Sequence, residues 1–263
     1  MAGIQHAQPQ YDDFATSYDL VWTVPAVAPL LPLLESIISS IGPLTGASVL
    51  DLATGTGIGL RLVRAAGASR LVGVDISPQM LEIAKATTPG AEFHTADCSR
   101  PLGQLGLEPG SFDVVLGIWL LNQCPSAAEL GGMWTNIATY LRPGGRFVGI
   151  IENHDIVHPA GVQGFKYGAR ESDVTELESG LGWSVHIEFQ TQPKIEIDGF
   201  RFKKEILESQ AKESGMGDMT YYAPTTEHVP EGIGRGETMN DVESWWDELL
   251  EQPPNFVIVS QKL

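Results

Sequence analysis

Cysteine is scarce: Cys98 and Cys124 are the only two in 263 residues, so no disulfide framework holds the fold and a reducing compartment suits it. Charge is thin as well, at 19% of residues against 43% hydrophobic, a balance that excludes a disordered chain. A chain this long buries roughly 75% of its unfolded surface and needs no structural metal to hold a core. Basic residues are the scarcest feature: 16 Lys and Arg face 33 Asp and Glu, a net charge of −17. Such a field repels phosphate backbones and anionic headgroups, which argues against nucleic acid and membrane surfaces as partners. No base precedes Arg61, so a secretory leader with a positive start is not expected. The uncharged run Leu20–Leu34 is broken by Pro25, Pro29 and Pro32, and is too short to span a bilayer. The expected location is the cytoplasm. Spacings of metal-ligand type, internal repeats and low-complexity linkers are all missing.

What is present is unevenly distributed. Residues 1–60 hold five acids and no base, residues 61–204 hold 16 acids and 13 bases, and residues 205–251 hold 12 acids against Lys212 and Arg235. The middle of the chain has the charge of an ordinary domain, and the two ends form acidic elements around it.

Short apolar runs alternate through that middle with helix-length amphipathic stretches, the pattern of a parallel sheet covered on both faces. The predicted strands are Ser48–Leu52, Leu71–Val74, Glu92–Thr95, Phe112–Gly117 and Phe147–Ile151, with helices over Ile58–Ala66, Pro78–Ala86 and Ala127–Leu141. Arg142-Pro143-Gly144-Gly145 is expected to stop the last helix. Beyond Ile151 the rhythm changes. Val185–Gln190 and Lys194–Ile197 read as a hairpin about Gln192-Pro193. Phe202–Ser214 and Asn240–Leu250 read as helices, and Met219–Tyr222 and Phe256–Ser260 as further strands. Two helices, near Asp12–Leu20 and Val27–Ile41, are expected before the first strand. The expected organisation is N-terminal lid helices over 1–45, a ligand-binding core over 46–160, and a substrate-side cap with the final antiparallel strands over 161–263.

The strongest local feature is Val49-Leu50-Asp51-Leu52-Ala53-Thr54-Gly55-Thr56-Gly57-Ile58-Gly59, a strand entering a glycine turn that opens a helix. Such a turn brings backbone close to a ligand at a helix N-terminus. It departs from a dinucleotide fingerprint, because Leu60 stands where the third glycine belongs and Asp51 precedes the loop. Two further acids end the next strands, Asp75 in Val72-Gly73-Val74-Asp75 and Asp97 in Phe93-His94-Thr95-Ala96-Asp97. The carboxyl ends of parallel strands form the rim where open α/β sheets bind ligands, and a carboxylate there accepts two hydrogen bonds from a ribose diol.

With these residues in place, the chain resembles the class I S-adenosylmethionine-dependent methyltransferases. The matching motifs are Asp51–Gly57, Asp75, Ala96-Asp97-Cys98, Phe112-Asp113-Val114-Val115 and Leu141–Gly145, in the family's order over roughly residues 11–152. Tyr11-Asp12-Asp13-Phe14-Ala15-Thr16-Ser17-Tyr18-Asp19 is similar to the lid helix of the small-molecule branch, which includes ubiquinone-type and toxoflavin-type enzymes. The resemblance implies an α/β, Rossmann-like fold: a seven-stranded, mostly parallel sheet with helices on both faces, N-terminal lid helices and a C-terminal cap. It also implies S-adenosylmethionine as cofactor. Asp51, Ala53, Gly55 and Gly57 would hold its methionine moiety and Asp75 its ribose. Ile76 and Met80 would cover the adenine face, and Asp97 and Cys98 would read the adenine edge. Tyr18 and Tyr11 would close over it, and Trp119 and Asn122 would flank the transferable methyl.

The chain departs from the branches that methylate nucleic-acid or glutamine amino groups, reading Gly117-Ile118-Trp119-Leu120-Leu121-Asn122-Gln123 where those carry an Asn/Asp-Pro-Pro-Tyr type motif. A small-molecule acceptor is therefore expected, taking the methyl on O, N or C by in-line displacement. An aromatic-rich cap suits a planar or aromatic acceptor. The acidic flanks suit a neutral or cationic one. A base is needed only where the acceptor keeps its proton, and the candidates lie past the fifth strand at Glu152, His154 and His158. Two alternatives stand beside this reading: a protein of the same fold that binds the cofactor without transferring methyl, and an NAD-type oxidoreductase.

Overall fold

The computed structural model describes residues 10–155, 165–177, 179–233 and 239–263, with backbone alone over 239–244. In chain order the elements are α1 (Leu30–Ser40), β1 (Ser48–Leu52), α2 (Ile58–Ala65), β2 (Arg70–Asp75), α3 (Pro78–Thr87), β3 (Glu92–Thr95), β4 (Phe112–Ile118), α4 (Ala127–Tyr140) and β5 (Leu141–Glu152). They continue with β6 (Ala169–Glu176), β7 (Gly182–Phe189), β8 (Ile195–Phe202), α5 (Lys204–Glu213), β9 (Thr220–Tyr222), α6 (Met239–Glu251) and β10 (Asn255–Gln261). No helix of the described residues is long and apolar enough to cross a membrane.

Seven strands form the main sheet in the order β3-β2-β1-β4-β5-β10-β9. The first five are parallel neighbours, and β10 runs antiparallel to both β5 and β9. This is the expected α/β, Rossmann-like, mostly parallel sheet. Its strand order reverses between β1 and β4, so the connections leaving those strands diverge to opposite faces and open a crevice at their carboxyl ends.

Alternation along each strand assigns the two cores. Val49, Val114, Leu116, Val148, Ile150, Val257 and Val259 face α1 and α2, whose Leu34, Ile38, Leu60 and Val63 are fully buried on that side. Leu50, Leu52, Val115, Phe147, Ile151 and Ile258 face the other way, against Leu130, Trp134 and Ile137 of α4 and Leu207 of α5. A one-residue slip of any of these strands would exchange the two cores, so register is tightly specified.

Three parts of the chain differ from expectation. The N-terminal segment, expected as lid helices, begins as 3-10 turns, Gln10–Asp12 and Ala15–Thr23, and α1 starts at Leu30 rather than Val27. A three-residue repeat puts Ala15, Tyr18 and Val21 on one side, the side that packs inward. The segment Arg142–Gly145 lies within a strand: β5 starts directly after α4, with an irregular register between Phe112 and Val114 taking up the slack. Finally, the predicted hairpin is two strands of a three-stranded antiparallel sheet, β6-β7-β8. β6 lacks an apolar alternation because its inward position Glu171 is a buried acid, paired with Arg201 of β8 at 2.6 Å.

Helix α4 fixes the loop after β3. Asn136 Nδ2 donates to the carbonyls of Cys98 and Arg100, both at 2.8 Å. One turn earlier Gly132 lets the helix touch that loop: a Cβ there would stand 2.0 Å from the carbonyl oxygen of Ser99. Gly132→Ala is therefore expected to lower stability by about 1–3 kcal/mol, although alanine is the better helix former. Thermal denaturation checks this, and an unchanged or raised Tm would contradict it.

Candidate functional site

The loop leaving β1 turns with Ala53, Gly55 and Gly57 at positive φ of 59°, 53° and 85°. Ala53 tolerates the strain because its neighbours are tied down. The Thr54 N–H donates to the Val74 carbonyl at 3.0 Å, and the Thr54 hydroxyl to Asp51 Oδ2 at 2.8 Å. A Cβ on Gly55 would meet nothing within 4 Å, so this turn presents bare backbone to open space.

Asp75 anchors the rim. Its Oδ2 accepts the Gly55 N–H and its Oδ1 the Ser77 N–H, each at 2.8 Å, which ties the ends of β1 and β2 together. Burial pushes its carboxyl up to about 6, against the pull of those N–H groups. Asp51 lies beneath the loop at 1% exposure, with Oδ1 buried and without a hydrogen-bond partner. Burial raises it to about 7, opposed by the Thr54 hydroxyl and reinforced by the charge of Asp75.

The third acid caps its own turn: Asp97 Oδ1 accepts the Ser99 N–H at 2.8 Å and the Ser99 hydroxyl at 2.7 Å. Cys98 is buried beside Ala53, and burial drives its thiol well above the ordinary range, which leaves it neutral. Ile76, by contrast, is 40% exposed, rare for a large apolar side chain here, and it faces a cavity with Met80 behind it.

That cavity has a volume of about 790 Å³. Of the residues singled out from the sequence, it brings together Tyr11, Tyr18, Ala53, Gly55, Asp75, Ile76, Met80, Asp97, Cys98 and Trp119. Asp51 and Gly57 do not line it. Asn122 turns to a smaller cavity of about 60 Å³ and donates from Nδ2 to the Phe200 carbonyl at 2.9 Å. Trp119 sits at a φ of 54°, its ring 4.9 Å from that of Trp22, with Nε1 donating to Asn255 at 2.9 Å.

The N-terminal turns are latched over this cavity by polar contacts. Asp12 accepts the Ser77 hydroxyl, Asp19 accepts the Thr56 hydroxyl, and Arg61 stands 3.3 Å from Asp19. Tyr11 and Tyr18 pack edge to face at 5.7 Å, and burial raises both phenols, so they stay protonated.

The base candidates fall elsewhere. Glu152 lines only the smaller cavity, where Arg201 lies 3.2 Å from it and burial raises its carboxyl to about 7. His154 lines neither cavity. It is buried among Tyr221 and Phe256 at 5.2 and 5.8 Å, and burial lowers its imidazole below the usual value. His158 is outside the described residues. In their place the far wall of the large cavity carries Asp173, Ser184, His186, Asp198 and Phe200, with Glu129 from α4 and Gln10 from the first N-terminal turn. Sequence reasoning missed these, although pairing across the hairpin would have put His186 opposite Asp198.

Against known proteins, residues 49–145 match the model of a family described as "Methyltransferase domain". Residues 49–145 are a class I methyltransferase domain. The class is the S-adenosylmethionine-dependent one, and the fold around the domain agrees. Streptomyces venezuelae DesVI superposes with a TM-score of 0.61 at 18% identity, over 95% of this chain and 99% of that one. An S-adenosylmethionine-dependent methyltransferase from Mesorhizobium loti superposes with a TM-score of 0.59 at 19% identity, over 88% and 96%. In sequence, a demethylmenaquinone methyltransferase from Tropheryma whipplei is 34% identical over 108 residues, 41% of this chain and 43% of that protein. The chain thus spans less than half the length of this curated relative. The methyltransferase domain supplies the glycine turn and all three strand-end acids; Tyr11 and Tyr18 on one side and the β6-β7-β8 wall on the other lie outside it.

Proposed function

We propose that this protein transfers the methyl group of S-adenosylmethionine to an O, N or C atom of a small-molecule metabolite. The observation that carries the reading is the single cavity running from Gly55, Asp75 and Ile76 to the β6-β7-β8 wall, with room for a cofactor and a modest acceptor. Its near end suits the cofactor chemically. Asp75 keeps acceptor capacity beyond its two backbone bonds, Ile76 offers an exposed apolar face, and Gly55 leaves space that a side chain would fill. When bound, the cofactor supplies a sulfonium methyl as electrophile, and the chain's own task is alignment and exclusion of water, effects worth up to roughly 7–11 kcal/mol.

The acceptor end is formed by the antiparallel sheet, which we assign as the substrate-side cap. Its acids Asp173 and Asp198, with Glu129, favour neutral or cationic acceptors over phosphorylated ones. Two of the similar proteins favour a metabolite as substrate, a demethylmenaquinone methyltransferase and the structural neighbour Micromonospora echinaspora CalS10, an amino pentose methyltransferase, while others are ribosomal protein L11 methyltransferases. The dinucleotide reading loses support because Leu60 is fully buried in the core beneath the loop.

Titration calorimetry with S-adenosylmethionine and S-adenosylhomocysteine, followed by labelled-methyl transfer to a panel of amino sugars, phenols and quinols, tests the proposal. Wild type is expected to bind both in the micromolar range. Gly55→Val should fold yet lose binding, since its side chain enters the cavity and its positive φ costs about 1–2 kcal/mol. Absence of binding by wild type would refute the assignment.

A further inference from the structure

Among the described histidines only His186 lines the large cavity. It stands on β7 directly opposite Asp198 of β8, and its Nδ1 lies 2.7 Å from Asp198 Oδ1. A carboxylate only accepts, so Nδ1 carries a proton, and in the neutral ring Nε2 then keeps its lone pair. The nearest other acid, Glu196, is 4.0 Å from Nε2 and is held by Lys194. Glu188, farther along β7, is taken by Arg170 and Lys194. Asp173 of β6 and, across the cavity, Glu129, Asp97 and Asp75 complete the charged groups on its walls.

The main chain that bears this carboxylate is held in place. Gln10 of the lid donates from Nε2 to the Asp198 carbonyl and accepts the Asp198 N–H at Oε1, both at 2.9 Å. This contact joins the N-terminal turn to the small sheet at the cavity wall and fixes the strand position from which the 78% exposed Asp198 side chain reaches His186. Deeper acids are poorer candidates for proton removal: Asp75 and Asp97 are bound by backbone N–H groups, and Asp51 and Glu152 do not line this cavity.

We propose that His186, oriented by Asp198 as its positioning residue, is the general base of the methyl transfer, and that the acceptor is a hydroxyl or an ammonium group that must lose a proton. This rests on the methyl-transfer reading. The pair of the acceptor's O–H or N–H bond, or the lone pair it uncovers, forms the new bond to the methyl carbon. The carbon–sulfur pair stays on sulfur, the proton passes to His186 Nε2, and the imidazolium returns it to water after product leaves. Asp198 remains ionised throughout and stabilises the imidazolium.

The first test needs no acceptor. Long-range proton–nitrogen NMR of the imidazoles, with His186 assigned by its loss in His186→Gln, should show the Nδ1–H tautomer with a bare Nε2 at neutral pH. Asp198→Asn should abolish that preference. A His186 with its proton on Nε2, or one charged at the assay pH, overturns the proposal. The second test compares amino sugars and catechols with a nitrophenol already ionised at the assay pH. His186→Gln should lower kcat about a hundredfold or more for the first two and spare the nitrophenol. KM should change little, the acidic limb of the pH profile should vanish, and affinity for S-adenosylhomocysteine should stay at the wild-type value. Equal loss on every acceptor, or unchanged turnover, overturns it. Loss of S-adenosylhomocysteine binding by wild type would instead strike the methyl-transfer reading, and the NMR result would still judge the tautomer.

Discussion

Asp75→Ala is expected to lose at least a hundredfold in affinity for S-adenosylmethionine. Two contributions combine. A ribose diol would donate two hydrogen bonds to an ionised carboxylate, each worth about 1.5–3 kcal/mol, and about 1.4 kcal/mol is a factor of ten in affinity. The same carboxylate accepts the Gly55 and Ser77 N–H groups, so its removal also frees the turn that shapes the site. Asp97→Ala should cost less, because the Asp97 side chain is hydrogen-bonded to Ser99 within its own turn and its loss does not free the glycine turn. Calorimetry reads the affinity and circular dichroism the fold. A folded Asp75→Ala protein whose affinity stays within tenfold of wild type would refute the assignment.

The parts of this site that could be read from sequence are those fixed by strand ends. Asp51, Asp75 and Asp97 each close an apolar run. A parallel sheet sends all such ends to one rim, so identity and placement follow together. The base could not be placed in this way. Glu152 ends β5, but its side chain turns to the smaller cavity and to Arg201, while His154, two residues on, packs against β9 and β10. Past a strand end the backbone no longer dictates direction, and the packing of β9 and β10 decides where the imidazole goes.

β6 was hidden for a different reason. Its inward position is Glu171, which pairs with a buried Arg201, and a buried ion pair erases the alternation by which strands are recognised. His186 and Asp198 were legible in principle. They stand six residues either side of Gln192, and a hairpin about that point places them face to face. What the sequence lacked was any sign of which face of the hairpin turns toward the cavity, since that depends on how the small sheet docks on the lid.

The buried carboxylates set an unusual pH dependence, which gives the second large effect. Asp51 and Asp75 titrate near 3.8 in an unfolded chain and at about 7 and about 6 in the fold, both raised mainly by burial. Glu152, raised from 4.5 to about 7 by burial, behaves in the same way. The folded state holds these protons more tightly than the unfolded one. Their contribution to stability is therefore full below about pH 4, declines as pH rises, and is gone above about 7. A tenfold change in proton affinity is worth about 1.4 kcal/mol, so the empty protein should gain a few kcal/mol between pH 8 and pH 5. Protonation of other acids on a chain of net charge −17 adds to the same trend. Groups of opposite sign bound the gain on the acid side. Glu188, held at about 2 by Lys194 and Arg170, and Asp113, kept low despite partial burial by the Ser48 N–H and Arg142, lose their partners' stabilisation below about pH 4.

Cofactor affinity should run the other way. A ribose diol donates to the ionised Asp75 and lowers its pKa, so binding tightens above about pH 6 and weakens below it. Denaturant melts of the empty protein at pH 5, 6, 7 and 8, paired with calorimetry at the same values, should therefore show stability falling with pH while affinity rises. Asp51→Asn keeps the Thr54 contact without the charge, and should flatten the stability curve and leave the affinity curve intact. If stability instead rose from pH 5 to 8, or if Asp51→Asn left its slope unchanged, the buried acids would not be what strains the empty fold.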